Sequence, residues 1–193
     1  MTVRQAAVDP RRAREARLRP MGRRGEGWIG IQMLLEVGLL VVAPFTGPAW
    51  GGPARLATSA AGFTLLAGGV AAFGYAASHL GSSFSVWVDP RPGAQLVTSG
   101  PYRYLRHPIC TAQVAICLGW ALIAASPAGL LLVPVVAWYL DRYKLAREEQ
   151  TLLARYPGYA TYLGAVPHRM LPMPPRRLPV PPRGPAGEPP TGT

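Results

Sequence analysis

The sequence predicts an all-α fold, an integral membrane bundle of about four transmembrane helices, and three observations carry that expectation. Apolar residues make up 49% of the 193-residue chain and gather in four runs, Trp28–Phe45, Ala57–Ser78, Ile109–Ala125 and Leu130–Tyr143. A helix crossing a bilayer needs roughly 20 apolar residues. Three of the runs approach that length and the fourth reaches it with its flanks. None of them carries the polar stripe that a helix on the surface of a soluble bundle shows. The charge is also unevenly placed. Nineteen of the twenty Lys and Arg precede the first run, lie between the second and third, or follow Leu140; the twentieth, Arg55, lies between the first two. This is the positive-inside pattern of a multi-pass protein in an inner or plasma membrane with both termini cytoplasmic. A net charge of +11 placed beside apolar runs points to anionic lipid headgroups as its partner, not to nucleic acid.

Residues 1–27 form an Arg-rich tail expected to be disordered. The apolar run after it is longer than a signal peptide needs and has no close small-residue cleavage site, so it reads as a retained first helix. Glu36 lies near its middle, where a carboxylate is a functional candidate by default. The alternative is a carboxyl that faces another helix and pairs with a hydroxyl. Thr46–Pro53 is a short outer loop. The second run is dense in Gly and Ala (Ala67-Gly68-Gly69, Ala71-Ala72, Gly74), and small residues let membrane helices approach closely. The second helix is therefore expected at the centre of the bundle.

The connection from His79 to Arg106 is polar and long enough to point to function, with turn chemistry at Asp89-Pro90 and Ser99-Gly100-Pro101. After Tyr143 the pattern KLAREEQTLLARYPGYATYL is amphipathic, with Leu145, Leu152, Leu153 and Tyr156 at helical spacing, and Pro157-Gly158 ends it. Tyr159–Leu163 and Val166–Leu171 then read as a segment lying back on the membrane surface. The domain runs over residues 28–171, and the Pro-rich basic tail 172–193 is expected to be disordered. Cys110 and Cys117 stand seven apart on one helix, roughly 10 Å along its axis, which excludes a disulfide. No further ligand set accompanies them, so no metal is expected.

The stretch QLVTSGPYRYLRHPIC, Gln95–Cys110, is the polar entrance to an apolar hairpin whose second arm ends in Arg147-Glu148-Glu149. Ser126-Pro127-Ala128-Gly129 is a tight turn, so the two arms run antiparallel. Arg106-His107 and Glu148-Glu149 thereby meet at one membrane face. Pro108 suits the first position of a helix. Singly, His107 is an interfacial cap, Arg106 a lipid-phosphate contact, and the glutamates a solvated helix start. Together they place two cations and two carboxylates at the mouth of a cavity, which suits a zwitterionic ligand with an apolar neighbour.

The segment LVTSGPYRYLRHP, then two helices, then REEQTLLARYPGYATYL and the closing V-P-x-R-x-x-P of Val166, Pro167, Arg169 and Pro172 resembles the isoprenylcysteine carboxyl methyltransferase family. The related phospholipid N-methyltransferases share the general plan. The likeness covers about His79 to Pro172, and Gly81 and Ser85 in LGSSFS resemble a short motif that precedes it. It implies a cytoplasmic-side pocket for S-adenosyl-L-methionine, with Gln95, Leu96, Val97, Tyr102, His107 and Glu148 as cofactor contacts. It also implies methyl transfer to a lipophilic, lipid-like acceptor. Arg106 or protonated His107 would take the methionine carboxylate. A Glu would accept the ribose hydroxyls or pair with the amino group. An amine or hydroxyl acceptor must lose a proton, and His107 and Glu149 are the candidate bases. Arg106, His107 and Glu149 are accordingly the candidate catalytic residues, with direct transfer and no covalent enzyme intermediate.

One residue departs from the family pattern. RHP-x-Tyr is the usual motif, and here that Tyr is Cys110, which enters the cofactor pocket as a small thiol. Tyr104 and Trp87 are the aromatic candidates to fill the space the ring leaves. Two other readings stay open. Sterol-type membrane reductases have a similar R-H-P motif and acidic pair but use NADPH, with more spans than this chain provides. A non-enzymatic membrane protein on the same scaffold is the other.

Overall fold

In a computed structural model of the chain, which describes residues 26–85 and 93–170, every regular element among the described residues is helical. Most of the basic amino-terminal tail, Trp87, the Asp89-Pro90 turn and everything from residue 171 onwards, Pro172 included, lie outside the described residues. The elements are α1 (Glu26–Thr46), α2 (Gly52–Leu80), α3 (Pro108–Ile123), α4 (Pro127–Tyr139), α5 (Ala146–Arg155) and α6 (Tyr159–Ala165). Two helical segments, Glu26–Thr46 and Gly52–Ser83, are long and apolar enough to cross a membrane; Pro108–Ile123 is apolar but shorter.

The centre of the bundle is α3, not α2, which corrects the expectation drawn from the small residues of the second helix. α3 packs against α2, α4 and α1. α2 offers it a single stripe, with Gly62, Gly69 and Ala76 buried at seven-residue spacing. Gly62 faces Gly119 of α3 so closely that a methyl group on either would stand 2.7 Å from the other's carbonyl oxygen. Small residues thus permit one very close approach. They do not multiply the number of partners, and Leu56, Phe63 and Val70 of α2 point outward.

Ser126 makes the hairpin turn. It is fully buried, its Oγ accepts from the Gly129 N–H at 2.9 Å, and it lies 2.6 Å from Thr46 Oγ1. The capped turn and the end of α1 are therefore joined at one end of the bundle. At the other end Trp28 stacks on Tyr143, with centroids 6.0 Å apart, and the Tyr139 hydroxyl donates to the Trp28 carbonyl at 2.8 Å. α4 continues without a break through a π-helical segment, Leu140–Leu145, into α5. The widened i→i+5 pattern puts Leu140 and Leu145 on one face, and both are fully buried.

Candidate active site

Three segments converge where α3 begins. Arg106 and His107 directly precede Pro108, which opens the helix as a first-turn proline should. The antiparallel arm α4–α5 returns Glu148 and Glu149 to the same end. His107 Nε2–H donates to Glu149 Oε1 at 3.2 Å, and its Nδ1 lies 3.8 Å from Glu148 Oε1. Arg106 Nε stands 3.2 Å from Glu149 Oε1. The juxtaposition expected from the short turn is present in the structure.

The third segment is the one the sequence reading placed on the membrane surface. His168–Met170 instead runs across the start of α3, where the His168 and Arg169 carbonyls accept from the N–H groups of Arg106 and His107 at 3.0 Å each. The Arg169 side chain donates to Glu149 from Nε (3.1 Å) and Nη2 (2.6 Å), and from Nη1 to the Asp141 carbonyl and Oδ1. Burial would raise the pKa of Glu149. The hydrogen bonds from His107 and Arg169 and the nearby charges of His107 and Arg106 outweigh that and hold it down at about 2. Arg169 was not among the site residues read from the sequence. The signal for it was its fixed place in V-P-x-R-x-x-P.

Above this cluster lies a cavity of about 250 Å³. Its wall includes Gln95, Leu96, Val97, Tyr102, His107, Cys110 and Glu148, together with Arg106. Glu149 does not reach the wall; it sits behind His107 and Arg106 and holds them. The Gln95–Val97 strand of chain is clamped. The Gln95 N–H donates to Ser83 Oγ at 3.0 Å, and the Tyr156 hydroxyl donates to the Ala94 carbonyl at 2.7 Å. The Tyr162 hydroxyl donates to the Tyr102 carbonyl at 2.6 Å, and burial pushes its phenol up to about 12, so it stays a donor. Gly100 takes a left-handed φ of 59° with the His79 ring directly beneath it, a position that leaves no room for a Cβ.

Cys110 has a neighbour that the sequence reading did not name. Tyr104 does not fill the space: it is 61% exposed and lies under the Arg103 guanidinium. Trp87 is outside the described residues. The side chain that reaches Cys110 is Lys144, whose Nζ donates to Sγ at 3.6 Å. Glu36 is bonded not to a hydroxyl on another helix but to Gln32 of its own, whose Nε2 donates at 3.0 Å. No group of three or more His, Cys, Asp or Glu among the described residues is placed to hold a metal.

Comparison with known proteins places this arrangement in a family. Residues 57–158, from early α2 to the turn after α5, match the family described as Phospholipid methyltransferase. The chain is 37% identical over 76 residues to mouse (Mus musculus) phosphatidylethanolamine N-methyltransferase, a stretch that covers 39% of this chain and 36% of the mouse protein. With the human (Homo sapiens) protein of the same name it shares 37% identity over 82 residues, 42% of this chain and 39% of that one. With the rat (Rattus norvegicus) protein the figures are 39% over 66 residues, 34% and 31%. The matched stretch thus spans less than half the length of these curated relatives. The chain belongs to the phospholipid methyltransferase family.

Proposed function

We propose that the chain is an integral membrane methyltransferase that moves a methyl group from S-adenosylmethionine to a lipid acceptor. The observation that carries this reading is the composition of one cavity wall. The six residues that the resemblance implies for the cofactor line it together with Arg106 and the departing Cys110. The donor set fits a zwitterion beside an apolar ring. Among the described residues no hydrogen bond uses the terminal nitrogens of Arg106, which leaves them for a carboxylate. Glu148 is half-buried at the wall and suits an amino group or ribose hydroxyls. Leu96, Val97 and Ile109 supply apolar surface for a purine.

When bound, S-adenosylmethionine supplies an electrophilic methyl on a sulfonium that carries its own leaving group. The chain's part is to bind, align and exclude water. Tyr102, Tyr156 and Tyr162 fix the loop that closes the cavity. Arg169 and Glu149 set the positions of Arg106 and His107. A carboxylate held near pKa 2 is a poor proton acceptor. Glu149 therefore acts as a positioning group, and His107, at the wall, is the candidate base for an amine or hydroxyl.

In the membrane the reading is four spans, α1, α2, α3 and α4 with its π-helical extension, with both termini and the cavity on the cytoplasmic side. The charge asymmetry supports it. The cavity is bounded by Ile29 and Met33 of α1 and by Phe73 and Leu80 of α2, two helices whose main packing partners are α4 and α3 respectively. A lipid acceptor entering from the bilayer would pass between them. Phosphatidylethanolamine, named in the relatives, is the first acceptor to assay, and a prenyl-type carboxylate is the second.

The test is transfer of label. Purified chain in detergent is incubated with methyl-tritiated S-adenosylmethionine and vesicles of phosphatidylethanolamine, phosphatidylglycerol or a prenylcysteine amphiphile. Label is expected in one extracted lipid class. Protein that binds the cofactor and labels none of them supports the non-enzymatic alternative. Protein that binds NADPH instead supports a reductase.

A further inference from the structure

We propose that Lys144 holds the acceptor: its ammonium, with the carboxamides of Gln32 and Gln113 on the same cavity wall, forms a subsite for an anionic headgroup oxygen on the membrane side of the cavity. The inference rests on the methyltransferase reading and adds to it the residue that selects the acceptor. Lys144 lies in the π-helical segment between α4 and α5 and is buried there together with Leu140 and Leu145. It lines the cavity and is only 8% exposed. A cation removed from water is costly unless an anion meets it. Lys144 nevertheless makes no ion pair among the described residues. Its one hydrogen bond there goes to the Cys110 thiol, a weak acceptor, so two of its three N–H donors have no protein partner. Glu36 and Glu148 act on it at longer range, and neither comes within ion-pairing distance.

The surroundings match this role. Gln32 is 2% exposed, lines the cavity and leaves its Oε1 without a partner; the Oε1 of Gln113, also at the wall, is likewise unbonded. A carboxamide turns either an oxygen or an NH2 to its ligand, so both suit the remaining atoms of a headgroup. Depth separates this subsite from Arg106, His107 and Glu148. Cys110 stands one turn of α3 beyond His107, about 4.5 Å along the axis, and Gln113 one turn further. Lys144 is therefore set inward of the Arg106–Glu148 pair, on a cavity wall that also carries apolar Met33. The departure Cys110 belongs to the same arrangement, because a Tyr side chain would occupy the space that the ammonium enters. The shared ligand chemistry is an anionic oxygen, either the phosphodiester of a phospholipid or the carboxylate of an acyl or prenyl acid.

The experiment measures binding to the full chain in an uncharged detergent. The probes are dihexanoyl-phosphatidylethanolamine, octanoate and octylamine, with S-adenosylmethionine titrated separately, on wild type, Lys144→Gln and Lys144→Arg. The proposal expects at least one anionic probe to bind wild type, to weaken at least tenfold in Lys144→Gln and to recover in Lys144→Arg, with S-adenosylmethionine affinity unchanged. The probe that shows this dependence tells phosphodiester from carboxylate. Three results overturn it: anionic probes binding Lys144→Gln as they bind wild type, octylamine being the probe preferred, or Lys144→Gln losing the cofactor tenfold. Should the glutamine variant not fold, cyanate modification of Lys144 in wild type replaces it. Protection by the anionic probes is expected, and equal protection by octylamine overturns the proposal. Wild type that binds anionic probes through Lys144 but no S-adenosylmethionine contradicts the methyltransferase reading and leaves the anion subsite standing.

Discussion

Arg169 grips both carboxylate oxygens of Glu149, with Nε 3.1 Å from Oε1 and Nη2 2.6 Å from Oε2. Through this pair a segment beyond α6 is locked to α5, and Glu149 in turn is held against Arg106 and His107. The two-point geometry is particular to a guanidinium. Removing one partner weakens the hold on the other, although Glu149 keeps Arg106 and His107 and Arg169 keeps Asp141. Glu149→Gln and Arg169→Ala are each expected to lower the thermal unfolding midpoint of the detergent-solubilised protein by several degrees, and Arg169→Lys to recover only part of the loss. Unchanged midpoints would mean that the strap contributes nothing to stability.

Acid should undo the same contact. The folded-state pKa of Glu149 is about 2, below its ordinary value of 4.5. Its stabilisation is therefore fully present above about pH 4.5 and is lost as pH falls from there towards 2. Wild-type unfolding midpoints measured from pH 6 to pH 3 should fall through this range. Glu149→Gln, which has no carboxylate there to protonate, should show a shallower decline. Parallel curves would contradict the assignment.

The hairpin was legible in the sequence because a four-residue turn with Pro and Gly permits only one relation between its arms, and that relation carries Arg106-His107 to Glu148-Glu149. Arg169 was marked only by its place in V-P-x-R-x-x-P; its partner was not legible, because that depends on the path the chain takes after α6. Lys144 was hidden by the helical segment it sits in. It belongs to the charged stretch Asp141-Arg142-Tyr143-Lys144, where a lysine reads as facing solvent, and no local pattern marks the cavity that takes it in. The centrality of α2 was misread because small residues declare how close a helix can come to a neighbour and not how many neighbours it has.

Cys110→Tyr restores the ring of the usual motif into space that the Lys144 ammonium reaches, 3.6 Å from the thiol sulfur. Overpacking of this kind costs roughly 1–3 kcal/mol. The variant is expected to bind S-adenosylmethionine more weakly than wild type by calorimetry. Tighter binding would show that the space beside Cys110 is vacant.

The positive-inside asymmetry predicts that both termini share a side and that the loop between α1 and α2 faces the other. Reporter fusions at Thr193 and within Thr46–Pro53 are expected to give opposite signals. The same signal from both would remove the four-span topology.

On the methyltransferase reading the cavity at the start of α3 binds S-adenosylmethionine through His107 and Glu148. The most direct test is calorimetric titration of the cofactor into the purified chain and into His107→Ala and Glu148→Gln, each checked for folding by its thermal transition. Saturable binding by wild type is predicted, weakened tenfold or more in each variant, a loss of about 1.4 kcal/mol. Folded variants that bind the cofactor as wild type does, or a folded wild type that does not bind it, would contradict the claim.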